Sequence, residues 1–300
     1  MLELQTDHLR LGIDPGIGAS VRNLDVKLEG QWTPLWYPAP DRFSDLRTPA
    51  CYVLAPYSGR VRDGKFEYNG QPVTLASPEH HAIHGHVRNR PWSLVERSAA
   101  SCKLRFLSSA FSDMDFPFPF VVELEYRLSG AQLRIELKLF NIGTASMPAG
   151  AGLHPYFART LTDPQERATL QFACQGVYPS EDVPIPTGPA QAVPPDWDFS
   201  SAREIDVELD HCFAGWDGRA AIRWPGSGLT ATLEASDTCE HVVVYAPADQ
   251  PFFAFEPVTH VNDAVNLLTR GVEGHGLVDL APRDHLSYAM TLKLEGERLG

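Results

Sequence analysis

Two side chains in this chain stand where acid and base chemistry could occur. Glu256 closes an otherwise apolar run, Phe252-Phe-Ala-Phe-Glu256-Pro257. Read as a strand, the run puts Phe252, Ala254 and Glu256 on one face and Phe253 and Phe255 on the other. A carboxylate among such neighbours is costly unless it is paired or put to use. Two roles fit it: a general base with a raised pKa, or a strand-end carboxylate bonded to local backbone N–H groups. His154 stands in Gly150-Ala-Gly-Leu-His154-Pro-Tyr-Phe157. The small residues ahead of it let another backbone or a ligand come close, and Pro155 holds its neighbourhood extended. Imidazole can give or take a proton near neutrality, although a histidine beside aromatic residues can also be a satisfied core or surface group.

A third cluster is denser. His80, His81, His84 and His86 fall within HHAIHGH. On a β-scaffold, His84-Gly85-His86 invites a metal reading in which two imidazoles and a nearby carboxylate ligate a transition ion. The next polar residues are instead Arg88, Asn89 and Arg90, then Pro91, with the first carboxylate at Glu96. Cations beside a metal centre oppose it, so the residues favour histidines acting as hydrogen-bonding groups in a polar pocket, with no metal.

The elements that must position these groups read as strands. Leu133-Arg-Ile-Glu-Leu-Lys-Leu139 alternates apolar and charged residues, the pattern of a half-buried antiparallel strand. Similar runs occur at 121–128, 104–107, 229–235, 242–245, 252–256 and 289–294. Asn69-Gly70 and Ser129-Gly130-Ala131 read as hairpin turns between such runs. No segment holds a 3.6-residue period for three turns, and Asn262–Leu268 is the best short helix candidate. Residues 177–200 are proline-rich and non-periodic, a long ordered loop rather than a linker. Gly12, Gly16 and Gly18 resemble a dinucleotide loop only superficially: Val21 stands where a third glycine belongs, and no βαβ unit comes after it. Nucleophile-elbow and P-loop motifs are both lacking. The pattern predicts an all-β fold, a large antiparallel β-sandwich with few short helices, as a single domain over 1–300.

Composition excludes several partners. The 300 residues carry 25 Lys+Arg against 38 Asp+Glu, for a formal charge of -13. Without clustered cations there is no surface for nucleic acid, and no apolar stretch approaches the roughly 18 residues of a membrane span. The five cysteines are scattered with no C-x-x-C pair, so they read as reduced and mostly buried thiols. No signal peptide is visible at the start, which predicts a cytoplasmic protein.

Taken in order, Pro56-Tyr-Ser-Gly-Arg60, Ile83-His84-Gly85, Gly152-Leu-His154-Pro-Tyr-Phe157, Leu209-Asp210-His211-Cys-Phe213 and Phe255-Glu256-Pro257 resemble the aldose 1-epimerase (galactose mutarotase-like) family over nearly the whole chain. The resemblance implies a sugar cleft on the concave face of a large β-sandwich (a supersandwich), with Glu256 as general base and His154 as general acid. It implies that Arg60, His84 and Asp210 bind sugar hydroxyls and the ring, with no cofactor and a small-molecule sugar as partner of a monomer or homodimer. Two departures stand out. Gly59 replaces the asparagine that commonly precedes the arginine, so one hydroxyl contact is missing or comes from elsewhere. Arg88, with Trp92 soon after, also resembles the hexose-6-phosphate branch; it would meet a phosphate or hold a carboxylate, and one arginine in an acidic chain favours the second. A carbohydrate-binding protein without turnover is the non-enzyme alternative, disfavoured by the presence of both His154 and Glu256.

Overall fold

The computed structural model describes residues 1–39, 50–76 and 80–299. Every run read as a strand forms one. The alternation at Leu133 extends over Gln132–Asn141, with Leu133, Ile135, Leu137 and Leu139 buried. It pairs on one side with Phe120–Ser129 and on the other with His285–Gly296. These strands are the centre of a nine-stranded sheet that runs from the exposed edge strand Ser93–Arg97 to the short Arg203–Glu204. A second, seven-stranded sheet contains Leu209–Ala214, His241–Ala246, Phe252–Val258, Gly152–Leu153 and Val53–Leu54, with Tyr156–Ala158 also paired to Phe252–Val258. A four-stranded sheet is built from the first 34 residues.

The two large sheets meet through aromatic side chains. Trp224 Nε1 donates to the Ala158 carbonyl at 2.9 Å, and Tyr288 Oη donates to the Pro257 carbonyl at 3.2 Å. Phe157, Phe253 and Phe255 of the seven-stranded sheet are fully buried in this layer. Burial of each such ring stabilises the fold by about 1.5–3 kcal/mol. The opposite face of Phe252–Val258 therefore carries Phe252, Ala254 and Glu256, as the period-2 reading requires. Glu256 is the fifth residue of that strand rather than its end, because the strand continues through Val258.

Local differences have local causes. The turn between Phe120–Ser129 and Gln132–Asn141 has two loop residues, Gly130 and Ala131, since Ser129 already pairs with Gln132. At Asn69-Gly70 both residues take positive φ (51° and 76°), as a primed hairpin turn demands. The helix read over Asn262–Leu268 forms as Ala264–Thr269, because Asp263 is left-handed at φ 59° and cannot join it. Residues 177–200 stay irregular but pinned, by paired hydrogen bonds between Val177 and Gln191 and by Trp197 stacked on His211. Among the described residues no helix is long and apolar enough to cross a membrane.

Candidate active site

The polar face of the seven-stranded sheet floors a cleft of about 950 Å³. Arg60, His84, His154, Asp210 and Glu256 all line it. Five positions far apart in sequence are thus gathered on one surface, each by a different strand or strand end.

His154 and Glu256 are in direct contact. His154 Nε2 lies 3.1 Å from Glu256 Oε1, and both side chains are about 95% buried. His154 comes directly after Gly152–Leu153, and its N–H bonds the Tyr52 carbonyl at 3.0 Å. Its ring packs on two tyrosines, stacked on Tyr52 at 4.7 Å and tilted against Tyr156 at 4.4 Å. Each such contact contributes about 0.5–1.5 kcal/mol beyond area burial and fixes the ring plane. The Tyr156 hydroxyl also stands 3.4 Å from His154 Nε2. Among the described residues no backbone N–H bonds the Glu256 carboxylate, so its partner is the imidazole rather than the strand end.

Burial governs the protonation of both groups. Desolvation, reinforced by the Asp210 carboxylate, pushes Glu256 well above the ordinary carboxylate range, while Arg60 pulls the other way. Desolvation and the nearby Arg88 cation lower His154 to about 3. Asp210, opposite Tyr245 in the strand pairing, is raised by burial and opposed by Arg60. A raised carboxylate is a stronger base and a lowered imidazolium a stronger acid, so the same low dielectric sharpens both roles.

His84 presents its ring edge-on to His154 at 5.4 Å and to Tyr52 at 5.6 Å. Its backbone is left-handed at φ 64°, a conformation that non-glycine residues keep mainly where surrounding structure imposes it. The imposition is visible: His84 N–H bonds the Gly59 carbonyl, His86 N–H bonds the Ala55 carbonyl, and a Cβ on the intervening Gly85 would fall 2.0 Å from Ala55 O. His84 Nδ1 is buried with no partner among the described residues. His81 and His86 line the same cleft with partners of their own: His81 Nδ1 accepts the Asp63 N–H, and His86 Nε2 lies 3.3 Å from Asp115 Oδ1. Among the described residues no three His, Cys, Asp or Glu side chains are placed to hold a metal ion.

Arg60 is positioned by the segment after Glu256. Asn262 Oδ1 accepts the Arg60 N–H at 2.9 Å, and the Arg60 carbonyl accepts the Asp263 N–H at 2.6 Å. Gly59 is left-handed at φ 62°, and a Cβ there would fall 1.5 Å from Asn262 Oδ1. The amide beside Arg60 therefore comes from Asn262, which also lines the cleft. The small residues before His154 make room for neighbours rather than a ligand: a Cβ on Gly150 would sit 1.8 Å from His260 Cδ2. Among the described residues Arg88 holds no carboxylate, against the expectation, and has no ion pair; its guanidinium lies over the Tyr52 ring at 5.6 Å, where it lines the cleft.

Sequence alone does not single out Tyr52, Tyr156, Asn262 or Asp263. Tyr156 does carry a signal, since it lies two residues beyond His154 in an extended segment and so faces the same way. Tyr52 and Asn262 reach the site only through pairings distant in sequence.

Comparison with known proteins agrees with this geometry. The uncharacterised protein YphB of Escherichia coli (strain K12) is 27% identical over 283 residues, covering 89% of this chain and 92% of that one. The uncharacterised YihR of the same strain is 29% identical over 225 residues, covering 71% of each. The crystal structure of an Escherichia coli K12 protein described as a candidate aldose 1-epimerase superposes with a TM-score of 0.84 at 23% identity, over 98% of both chains. A galactose mutarotase-like protein of Clostridium acetobutylicum gives 0.82 at 20% identity, over 98% of this chain and 94% of that one. These likenesses show a shared fold. The sequence profile of the aldose 1-epimerase family matches residues 2–283, and the chain belongs to that family.

Proposed function

We propose that the protein is a mutarotase that interconverts the α and β anomers of a free aldose, with Glu256 as general base and His154 as general acid. The observation that carries this reading is the 3.1 Å contact between His154 Nε2 and Glu256 Oε1 on the floor of the cleft. In a pyranose, O1 and O5 are bonded to the same carbon, so an acid and a base that touch each other can reach both. Glu256 takes the proton from the O1 hydroxyl while His154 gives one to O5. The C1–O5 bond breaks and the open-chain aldehyde forms. The pair now carries the same single proton, moved from imidazole to carboxyl. Rotation about C1–C2 turns the other carbonyl face towards the O5 hydroxyl, and the transfers run in reverse to close the opposite anomer.

Arg60, His84, whose Nδ1 has no partner among the described residues, and Asp210 line the cleft beside the pair, with donors and acceptors suited to sugar hydroxyls. The reaction calls for no metal or organic cofactor, because each step is a proton transfer. A second reading takes a hexose 6-phosphate with the same chemistry, favoured by Arg88, a cation that faces the cleft without an ion pair among the described residues.

Polarimetry of freshly dissolved α-glucose, α-galactose and glucose 6-phosphate tests both. The free sugars should equilibrate faster with wild type and at the spontaneous rate with His154→Ala and Glu256→Gln. If no sugar is accelerated by wild type, the enzyme reading fails. If Arg88→Ala spares the free sugars but abolishes action on the phosphate ester, the second reading stands.

A further inference from the structure

The proline-rich segment that leaves the short strand Gly176–Val177 is a closed strap whose tip meets the tie behind Arg60. At its neck Val177 and Gln191 exchange two backbone hydrogen bonds, each 2.9 Å, so residues 178–190 depart from the sheet and return to the same place. That is an Ω-loop, compact because its own groups pack it. Pro179, Pro184, Pro186 and Pro189 fix φ at four points along it. Its base is anchored: the Tyr178 hydroxyl donates to the Gly274 carbonyl at 2.5 Å, and Thr187 N–H bonds the Pro179 carbonyl at 2.9 Å. At the tip, Ile185 N–H bonds the Val183 carbonyl at 2.6 Å, a three-residue turn centred on Pro184.

The Pro184 carbonyl accepts a hydrogen bond from Asn262 Nδ2, and the next side chain, Ile185, is only 2% exposed. The same amide accepts the Arg60 N–H at Oδ1, 2.9 Å away. One orientation of the amide satisfies both partners, since a flip would set NH₂ against an N–H and oxygen against a carbonyl. Asn262 is buried, so either mismatch would be costly. The strap tip therefore fixes the amide, and the amide holds the Arg60 backbone. No strap residue is among the described residues that line the cleft, whereas Asn262 and Arg60 both are.

We infer that the strap is a positioning element for Arg60 that acts through Asn262, with the Pro184 carbonyl as its contact and Ile185 as the side chain that seats it. The inference rests on the reading of Arg60 as a sugar ligand. A seated strap keeps the Arg60 backbone in place, and an unseated one frees it. Such coupling is reciprocal, so sugar held by Arg60 favours the seated strap in turn.

The test loosens the tip without altering a cleft residue. For whichever of galactose and glucose wild type interconverts, Ile185→Ala should raise KM about two- to tenfold, the scale of one hydrogen bond, with kcat nearly constant. Ile185→Val should stay near wild type. Combined with Asn262→Ala, Ile185→Ala should add nothing, because both changes break one relay. An unchanged KM in Ile185→Ala, or increases that multiply in the double variant, overturns the inference. In wild type, saturating sugar should slow cleavage after Glu181 by a glutamate-specific protease, read by mass spectrometry; cleavage at the same rate with sugar bound overturns it as well. A third arm needs no sugar. Hydrogen exchange of the Arg60 N–H should accelerate in Ile185→Ala while that of Leu137, inside the nine-stranded sheet, stays the same. Equal acceleration at both, or none at Arg60, contradicts the relay. If no sugar is interconverted, the catalytic reading fails by itself and the Arg60 exchange decides this one.

Discussion

At the scale of single residues, the site is defined by what burial does to two titratable groups. Glu256 and His154 touch, and both resist charge because they are desolvated. The pair must hold one proton to work. That proton must sit on the imidazole when O5 is protonated; a second proton neutralises the Glu256 carboxylate and leaves a buried imidazolium with no counter-charge, so the acid limb of the kcat/KM profile should lie below the ordinary histidine value of 6.5. Removal of the last proton creates a buried carboxylate, so the basic limb should lie well above the ordinary carboxylate value of 4.5. A profile measured by NMR exchange that falls with a single acid limb at 6.5 or higher contradicts this. Replacing Tyr156 with Phe removes the hydroxyl 3.4 Å from Nε2 while keeping the ring. Expected is a shift in the pH limbs with little change in KM, whereas Tyr156→Ala should lower kcat further by releasing the imidazole plane. His154 and Glu256 stood out because each broke a local pattern, a carboxylate in an apolar strand and a histidine behind a run of small residues, while the roles proposed for them came with the family resemblance. The tyrosine clamp was not, since Tyr52 breaks none.

At the scale of elements, the segment after the strand Phe252–Val258 ties the strands around the cleft together. Thr259, His260, Asn262 and Asp263 bond in turn to Ala151, Ser58, Arg60 and Arg62, and all four are buried. His260 accepts the Ser58 N–H at Nε2 and donates from Nδ1 to the Val261 carbonyl, which fixes it neutral; burial lowers it to about 4. Asn262→Ala should therefore act through Arg60. The lost acceptor leaves a backbone N–H unpaired at a cost of about 1–3 kcal/mol, and KM should rise several-fold with kcat nearly constant. Unchanged KM with lowered stability alone would make Asn262 a structural residue only. Gly150→Ala should destabilise by about 1–3 kcal/mol in urea denaturation, as its methyl meets the His260 ring. The strands themselves were readable from alternation, because each buries one face. The tie was not, because its bonds join residues 108 to 202 positions apart and its polar side chains look like an ordinary turn.

At the scale of the molecule, two sheets share an aromatic layer, and the cleft lies on the far side of one of them. We propose that the chain unfolds as one unit, with a single transition by both circular dichroism and fluorescence; two separated transitions would divide it. Burial lowers His84, His154 and His260 in the native state, so the unfolded chain binds their protons first. The stability these histidines contribute should be fully present above pH 6.5 and fall as pH drops from there towards about 4, against an opposite slope from the raised carboxyls of Glu256 and Asp210. A thermal midpoint that falls over that window as much in His260→Gln as in wild type contradicts the neutral state of buried His260. The net charge of -13 suits an uncharged ligand, and the cleft answers it with Arg60 and Arg88 placed locally. The decisive measurement is two-dimensional NMR exchange between the α and β anomers of galactose and glucose, with wild type and Glu256→Gln at equal concentration. Expected is anomer exchange far above the spontaneous rate with wild type for at least one of the two sugars, and loss of about 10²-fold or more with Glu256→Gln. Exchange by the variant at the wild-type rate would contradict the assignment of the pair.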